Sequence, residues 1–195
     1  MRFILLYVAL FIVGMIGFTA FPAAGAWQLD NQHSSLSFIS IKKADVAEAH
    51  HFNQLRGSLD DNGKISFVID LLSVDTNIAI RNERMKEFLF KTELYPSATF
   101  TAQLDMKKFN QIGVGTTGLL KLSGEIDLHG KKQKVMIEVL VAKLSNQNFV
   151  VSSMKPVLLN AQRFGLTEGV KKLQELAKLP SISNAVPVSF VLTFK

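Results

Sequence analysis

Between Lys64 and Met106 the same hydrophobic pattern occurs twice with an interruption between. Ile65, Phe67, Ile69 and Leu71 alternate with Lys64, Ser66, Val68 and Asp70, and later Ala98, Phe100, Ala102, Leu104 and Met106 alternate with Thr99, Thr101, Gln103 and Asp105. A period of two is that of a strand with one buried face. In the interruption, Ile78, Met85, Phe88 and Leu89 fall near helical spacing, with Arg81, Asn82, Arg84 and Lys86 mostly on the other side. Ser73, Asp75 and Thr76 can cap such a segment and Pro96 can end it. The pattern therefore predicts a basic-faced helical connection between two half-buried strands.

The remaining chain is read the same way. Leu36 and Phe38 alternate with Ser35 and Ser37, whereas Ile39 and Ile41 put apolar groups on the second face. Leu120, Leu122, Ile126 and Leu128 face one way, and Val135, Ile137, Val139 and Val141 follow beyond a turn at His129-Gly130-Lys131. Asn62-Gly63 predicts a type I′ hairpin turn, and Asn146-Gln147-Asn148 marks another turn. A second irregular segment, 163–184, carries Val170, Leu173, Leu176 and Ala177 as one stripe, with Thr167 as N-cap and Pro180 as the stop. Val186, Val188, Phe190, Leu192 and Phe194 then alternate to the end. Seven or eight strands without a βαβ rhythm argue for an antiparallel sandwich or barrel, and periodicity alone does not separate the two.

Residues 1–26 read as a cleavable secretory signal: Arg2, then an apolar run from Phe3 to Phe21, then Ala24-Gly25-Ala26. Residues 27–195 then form one domain. With no cysteine, an exported chain relies on burial and closed strand pairing. The 22 basic and 16 acidic residues leave a net charge of +6 without any run of five like charges, so nucleic acid is not expected as a partner. His33, His50, His51 and His129 show no metal-ligand spacing, and adjacent His50 and His51 point to opposite faces of a strand, so no metal or cofactor is expected. There is no G-x-S-x-G, and the two S-x-x-K matches, Ser40/Lys43 and Ser152/Lys155, lack their companion motifs.

One constellation is more specific. Ser73-Val74-Asp75-Thr76, Arg81, Phe88 to Phe90, Tyr95-Pro96 and Phe100 stand in an order that resembles the YceI-like family. The likeness runs from Trp27 to Phe194 and takes in Asp30-x-x-His33-Ser34, Phe38, Phe52 with Gly57, and Leu128-His129-Gly130. In the commoner family form an Asp follows the Arg and a His stands two residues further on; here those positions hold Asn82 and Arg84. The resemblance implies a periplasmic, all-β, single antiparallel eight-stranded lipocalin-like barrel with one or two short helical connections. It also implies a polyisoprenoid ligand, such as a prenylated quinone, held without catalysis.

The apolar pattern alone suits a filled core; the resemblance turns it into a cavity wall. The residues nominated to line it are Phe38, Phe52, Phe67, Ile69, Leu71, Ile80, Met85, Phe88, Leu89, Phe100, Leu120, Leu122, Ile137, Val139, Phe164, Leu173 and Phe190. Arg81 and Arg84, three apart on a helix, are nominated as a cationic mouth for a head group or membrane surface. A homodimer and transient membrane contact stay open. One rival is an enzyme that modifies such a lipid, for which Asp75, Glu83 and His129 are the acid–base candidates. A second is an adaptor for an inner-membrane partner, with a packed interior.

Overall fold

The computed structural model describes residues 27–195, so the expected signal segment lies outside the described residues. Twelve strand segments make one antiparallel sheet. In chain order they are β1 (Trp27–Gln28), β2 (Ser35–Lys42), β3 (Val46–Phe52), β4 (Leu55–Leu59), β5 (Lys64–Asp70) and β6 (Val74–Asp75). There follow β7 (Ser97–Gln103), β8 (Thr117–Leu128), β9 (Lys131–Lys143), β10 (Phe149–Ser153), β11 (Val157–Asn160) and β12 (Ala185–Phe194). The expectation of eight strands gives way to twelve segments, but these fall on eight lines. β1 continues into β2, β3 into β4, β5 into β6 and β10 into β11, since each pair keeps the same neighbouring lines. Two of the breaks use one device: Asp30 and Asp70 each accept the N–H two residues ahead and start a 3-10 turn, Asn31–His33 and Leu71–Ser73.

The eight lines form a meander that closes on itself. β12 pairs with β2 along Val188↔Phe38 to Val191↔Ser35, and Leu29 bridges Phe194. Gln28 and Lys195 exchange both backbone bonds at 2.7 and 2.9 Å. The all-β barrel is therefore closed, which removes exposed strand edges.

Antiparallel lines place successive connections at alternating ends. One end holds the 61–63 turn, the helix α2 and the 144–148 turn; α2 spans Met106–Asn110. The other holds the 43–45 turn, the His129-Gly130 turn and both long excursions, 76–96 and 161–184. The first excursion is α1 (Ala79–Arg84) running into a π-helical stretch, Met85–Phe90; the second contains α3 (Thr167–Leu176). α3 packs on the π-helical stretch so closely that a Cβ on Gly169 would meet the Phe88 carbonyl at 2.6 Å.

Local details depart from expectation. At Asn62-Gly63 only Gly63 has positive φ, 85°, and the Asp60 carboxylate accepts from Asn62 and Lys64 N–H. The three-residue loop bends through that side chain, and a Gly63 Cβ would strike the Leu104 carbonyl. The two-residue turn with positive φ at both positions is His129-Gly130, at 55° and 68°. Thr167 is the first residue of α3 and Leu166 the cap, without a side-chain bond. α1 likewise has an apolar cap, Ile78, without a side-chain bond, and Thr76 and Asp75 bond Asn82 instead. The first excursion's helix stops at Lys91, with φ 50°, well before Pro96.

Candidate functional site

Strand alternation decides what the barrel encloses. With Leu36 and Phe38 buried on β2, the next inward positions are Ser40 and Lys42; on β3 they are Glu48, His50 and Phe52. The same phase on β5, β8, β9 and β12 turns Phe67, Leu120, Leu122, Ile137, Val139 and Leu192 inward. Together they surround a cavity of about 540 Å³, within the range of ligand clefts, roughly 300–1,000 Å³. The packed interior that the adaptor requires is absent from this fold.

The cavity wall takes in Phe38, Phe52, Phe67, Ile69, Leu71, Ile80, Met85, Leu89, Phe100, Leu120, Leu122, Ile137, Val139, Phe164, Leu173 and Phe190, with Arg81 and Arg84 at its helical end. Phe88 is a correction: it does not face the cavity, whereas Phe90 does. In a π-helix the turn closes at i→i+5, so Met85 shares its face with Leu89 and Phe90 rather than with Phe88 and Leu89.

At one end the cavity has an aromatic floor. Phe109 of α2, 1% exposed, meets Trp27 and Phe149 edge-on at 5.7 and 5.1 Å, and Phe149 stacks on Phe194 at 5.0 Å. At the other end it reaches the surface between α1 and the end of α3, for Ile78 and Ile80 line it while 46% and 59% exposed.

Among the described residues, every polar residue of the wall belongs to the helix-bearing half: Ser40, Lys42, Glu48, His50, Arg81, Arg84, Thr99 and Ser183. Glu48 is their centre. Its Oε2 accepts from Lys42 Nζ at 2.8 Å and from Arg81 Nη1 at 2.7 Å, and these two cations hold its carboxyl below the ordinary value, Lys42 first. Arg81 Nη2 donates to the Thr76 carbonyl at 2.6 Å. His50, 2% exposed, places Nε2 2.8 Å from Ser40 Oγ, and burial, then the Arg81 charge, lowers its pKa below the ordinary imidazole value. Arg84 reaches the last turn of α3, donating to the Leu176 carbonyl at 3.4 Å, the favoured place for a cation on a helix dipole.

Asn82 has a structural task. Its Oδ1 accepts from Thr76 N and Oγ1 at 2.9 and 2.6 Å, and its Nδ2 donates to Asp75 Oδ1 at 3.3 Å, which fixes the entry to α1. The three acid–base candidates lie off the cavity wall. Asp75 accepts the Asn77 N–H, which with Asn82 lowers its pKa, and Glu83 is exposed beside Lys86. His129 is a turn residue packed on Tyr95 at 4.3 Å. His51 points outward, 3.6 Å from Asp75. What sequence reasoning missed is the Ser40–Lys42–Glu48–His50 group; the signal was the phase of Leu36 and Phe38, carried two steps further.

A closed barrel with a floor at one end and a ligand-sized apolar cavity open at the other defines a small-ligand-binding β-barrel. The YceI-like domain profile matches residues 27–194, and the chain belongs to that family. A polyisoprenoid binding domain from Saccharophagus degradans, implicated in plant cell wall breakdown, is 38% identical, with TM-score 0.84 over 87% of this chain and 98% of that one. BcnA of Burkholderia cenocepacia shares the fold at 19% identity and TM-score 0.65, covering 85% and 98% of the two chains. The YceI protein of Campylobacter jejuni does so at 14% identity and TM-score 0.52, covering 72% and 80%. No curated protein sequence matches the chain.

Proposed function

We propose that this protein is a periplasmic carrier, exported by its first 26 residues, which holds a polyisoprenoid lipid such as a prenylated quinone in the barrel and exchanges it at a membrane surface. The carrying observation is the division of the cavity: apolar to the floor, polar only near the opening. A lipid with a long hydrocarbon tail and a compact head has the same division. The Saccharophagus domain, at 38% identity, binds a ligand of this class. The chain acts here by holding its ligand rather than by converting it.

The energetics favour exchange at membranes. Moving hydrocarbon out of water is worth about 0.8 kcal/mol per CH₂, so a tail of several isoprene units escapes into water very slowly. A bilayer is already apolar, and transfer between it and the barrel is close to balanced. Protein purified without detergent from its native compartment should begin at Trp27 and yield a prenyl lipid on organic extraction and mass spectrometry. The lipid should survive dialysis and leave into added liposomes. Repeatedly empty protein that takes up nothing from prenyl-lipid vesicles overturns the proposal.

A further inference from the structure

α1 is held over the opening by little. None of its residues is buried, whereas the π-helical stretch that follows sinks Met85 and Phe90 into the core and packs on α3. Outside residues 75–96, α1 makes two polar contacts among the described residues: Arg81 Nη1 to Glu48 at 2.7 Å and Arg84 Nη1 to the Leu176 carbonyl at 3.4 Å. The chain enters α1 at Asn77, in the left-handed region at φ 60°, and leaves it where the winding changes at Met85. A short segment between a bend and a change of winding, with no buried side chain, belongs to the low-stability end of a fold. Breaking the Arg81–Glu48 pair does not strand the carboxylate, because Glu48 keeps Lys42 at 2.8 Å.

The surface that α1 presents is apolar within a basic frame. Ile78 and Ile80 line the cavity and are exposed at the same time. Around them the stretches 42–48, 78–84 and 176–180 carry five basic and three acidic residues. Exposed isoleucines framed by surplus cations fit an anionic bilayer, whose headgroups attract the cations while its hydrocarbon takes the side chains. Other exposed apolar side chains, Leu119, Met136 and Leu158, stand on strands but off the cavity wall. A tail leaving beside them would have to pass between strands. Docking at α1 joins cavity to bilayer with no water between.

We infer that α1 is a lid that docks on an anionic bilayer, and that docking exchanges the Arg81–Glu48 pair for lipid phosphates and opens the cavity. Arginine grips phosphate through two parallel hydrogen bonds, which makes the exchange favourable. This rests on the lipid-carrier proposal and adds the docking element and its latch.

The chain has no cysteine, so one introduced thiol carries the only label. Ile80→Cys and Leu158→Cys, delipidated in the form that begins at Trp27, receive an environment-sensitive dye. Each is mixed with vesicles of phosphatidylcholine, alone or with phosphatidylglycerol. The dye at position 80 should shift to the blue on the anionic vesicles and little on the neutral ones, and the dye at 158 on neither. No shift at 80, the same shift on both vesicles, or an equal shift at 158 overturns the docking assignment. Ile78→Ser should weaken partition onto the anionic vesicles about tenfold; unchanged partition overturns it as well. For the latch, Glu48→Gln loaded with a fluorescent prenyl lipid is followed as it releases to phosphatidylcholine vesicles, where the added positive charge gains nothing. Release severalfold faster than wild type supports the latch, and an unchanged rate overturns it. The dye reads docking without a bound lipid, so a protein that docks but never loads removes the carrier and leaves the docking surface standing.

Discussion

The two ends of the barrel solve opposite problems with the same strands. At the floor, Trp27, Phe109, Phe149 and Phe194 contact each other through ring edges and one stacked pair. The cation there, Lys143, lies 4.8 Å over the Phe109 ring rather than in an inward ion pair. At the opening, the same alternation aims Lys42 and Glu48 into the cavity and α1 adds Arg81, and the three are bonded to one another through Glu48. Rings supply area and fix the end; charges supply partners that water or a ligand can share. Stability should therefore concentrate at the floor and selectivity at the opening.

The largest expected break in that comparison is Phe109→Ala. Truncating a fully buried Phe costs about 3–5 kcal/mol, and urea unfolding should show it. A loss below about 1 kcal/mol would mean that the floor is not the brace of the barrel. At the opening, Glu48→Gln leaves Lys42 and Arg81 facing the cavity without their carboxylate. Glu48 is a third exposed, with side-chain exposure 33%, which limits the loss to about 1 kcal/mol. Its folded pKa is depressed, so the wild-type advantage exists above the ordinary glutamate value of 4.5 and fades as pH falls below it. Equal stability of the two proteins at pH 7 would show that the cluster contributes nothing to folding.

A smaller effect, confined to acid, concerns Asp30. Its bond to Lys195, then that to His33, holds its pKa at about 2 against the usual 3.8. A depressed carboxylate stabilises the fold above its unfolded pKa and ceases to do so as pH falls through the folded one. Asp30→Asn should thus flatten part of the fall in urea midpoint between pH 4 and 2; an unchanged slope would assign the acid response elsewhere. Smallest is Arg84→Ala, whose single bond is 3.4 Å long: the melting curve should shift by less than about 0.5 kcal/mol. A larger shift would make α3 depend on that contact.

Much of this was legible in the alternation. The phases of Ile65–Leu71 and Val186–Phe194 assign inward faces, and the two interruptions mark the excursions. That both excursions share one end follows from the four lines between them in a meander. Other features depend on contacts made only in the folded chain. Nothing in Met-Lys-Glu-Phe-Leu-Phe separates α from π winding, and that choice exchanges Phe88 for Phe90 on the wall. The Arg81–Glu48 bond joins residues 33 apart, so Arg81 read from its own helix was a free cation. Asn62-Gly63 carried the hairpin dipeptide, but Asp60 captured the local N–H groups and altered the turn.

The seam between the first and last lines has a kinetic consequence. Lys195 Nζ meets Asp30 at 2.9 Å across 165 residues, and the Lys195 backbone pairs with Gln28. Closure of that seam has the largest loop-entropy barrier in the topology, the kind of contact that slows folding. A chain emerging N-terminus first, from a ribosome or through a narrow pore, carries an open sheet until β12 is free to pair with β2. Removing Phe194 and Lys195 should therefore slow the final refolding phase far more than it alters the earlier ones.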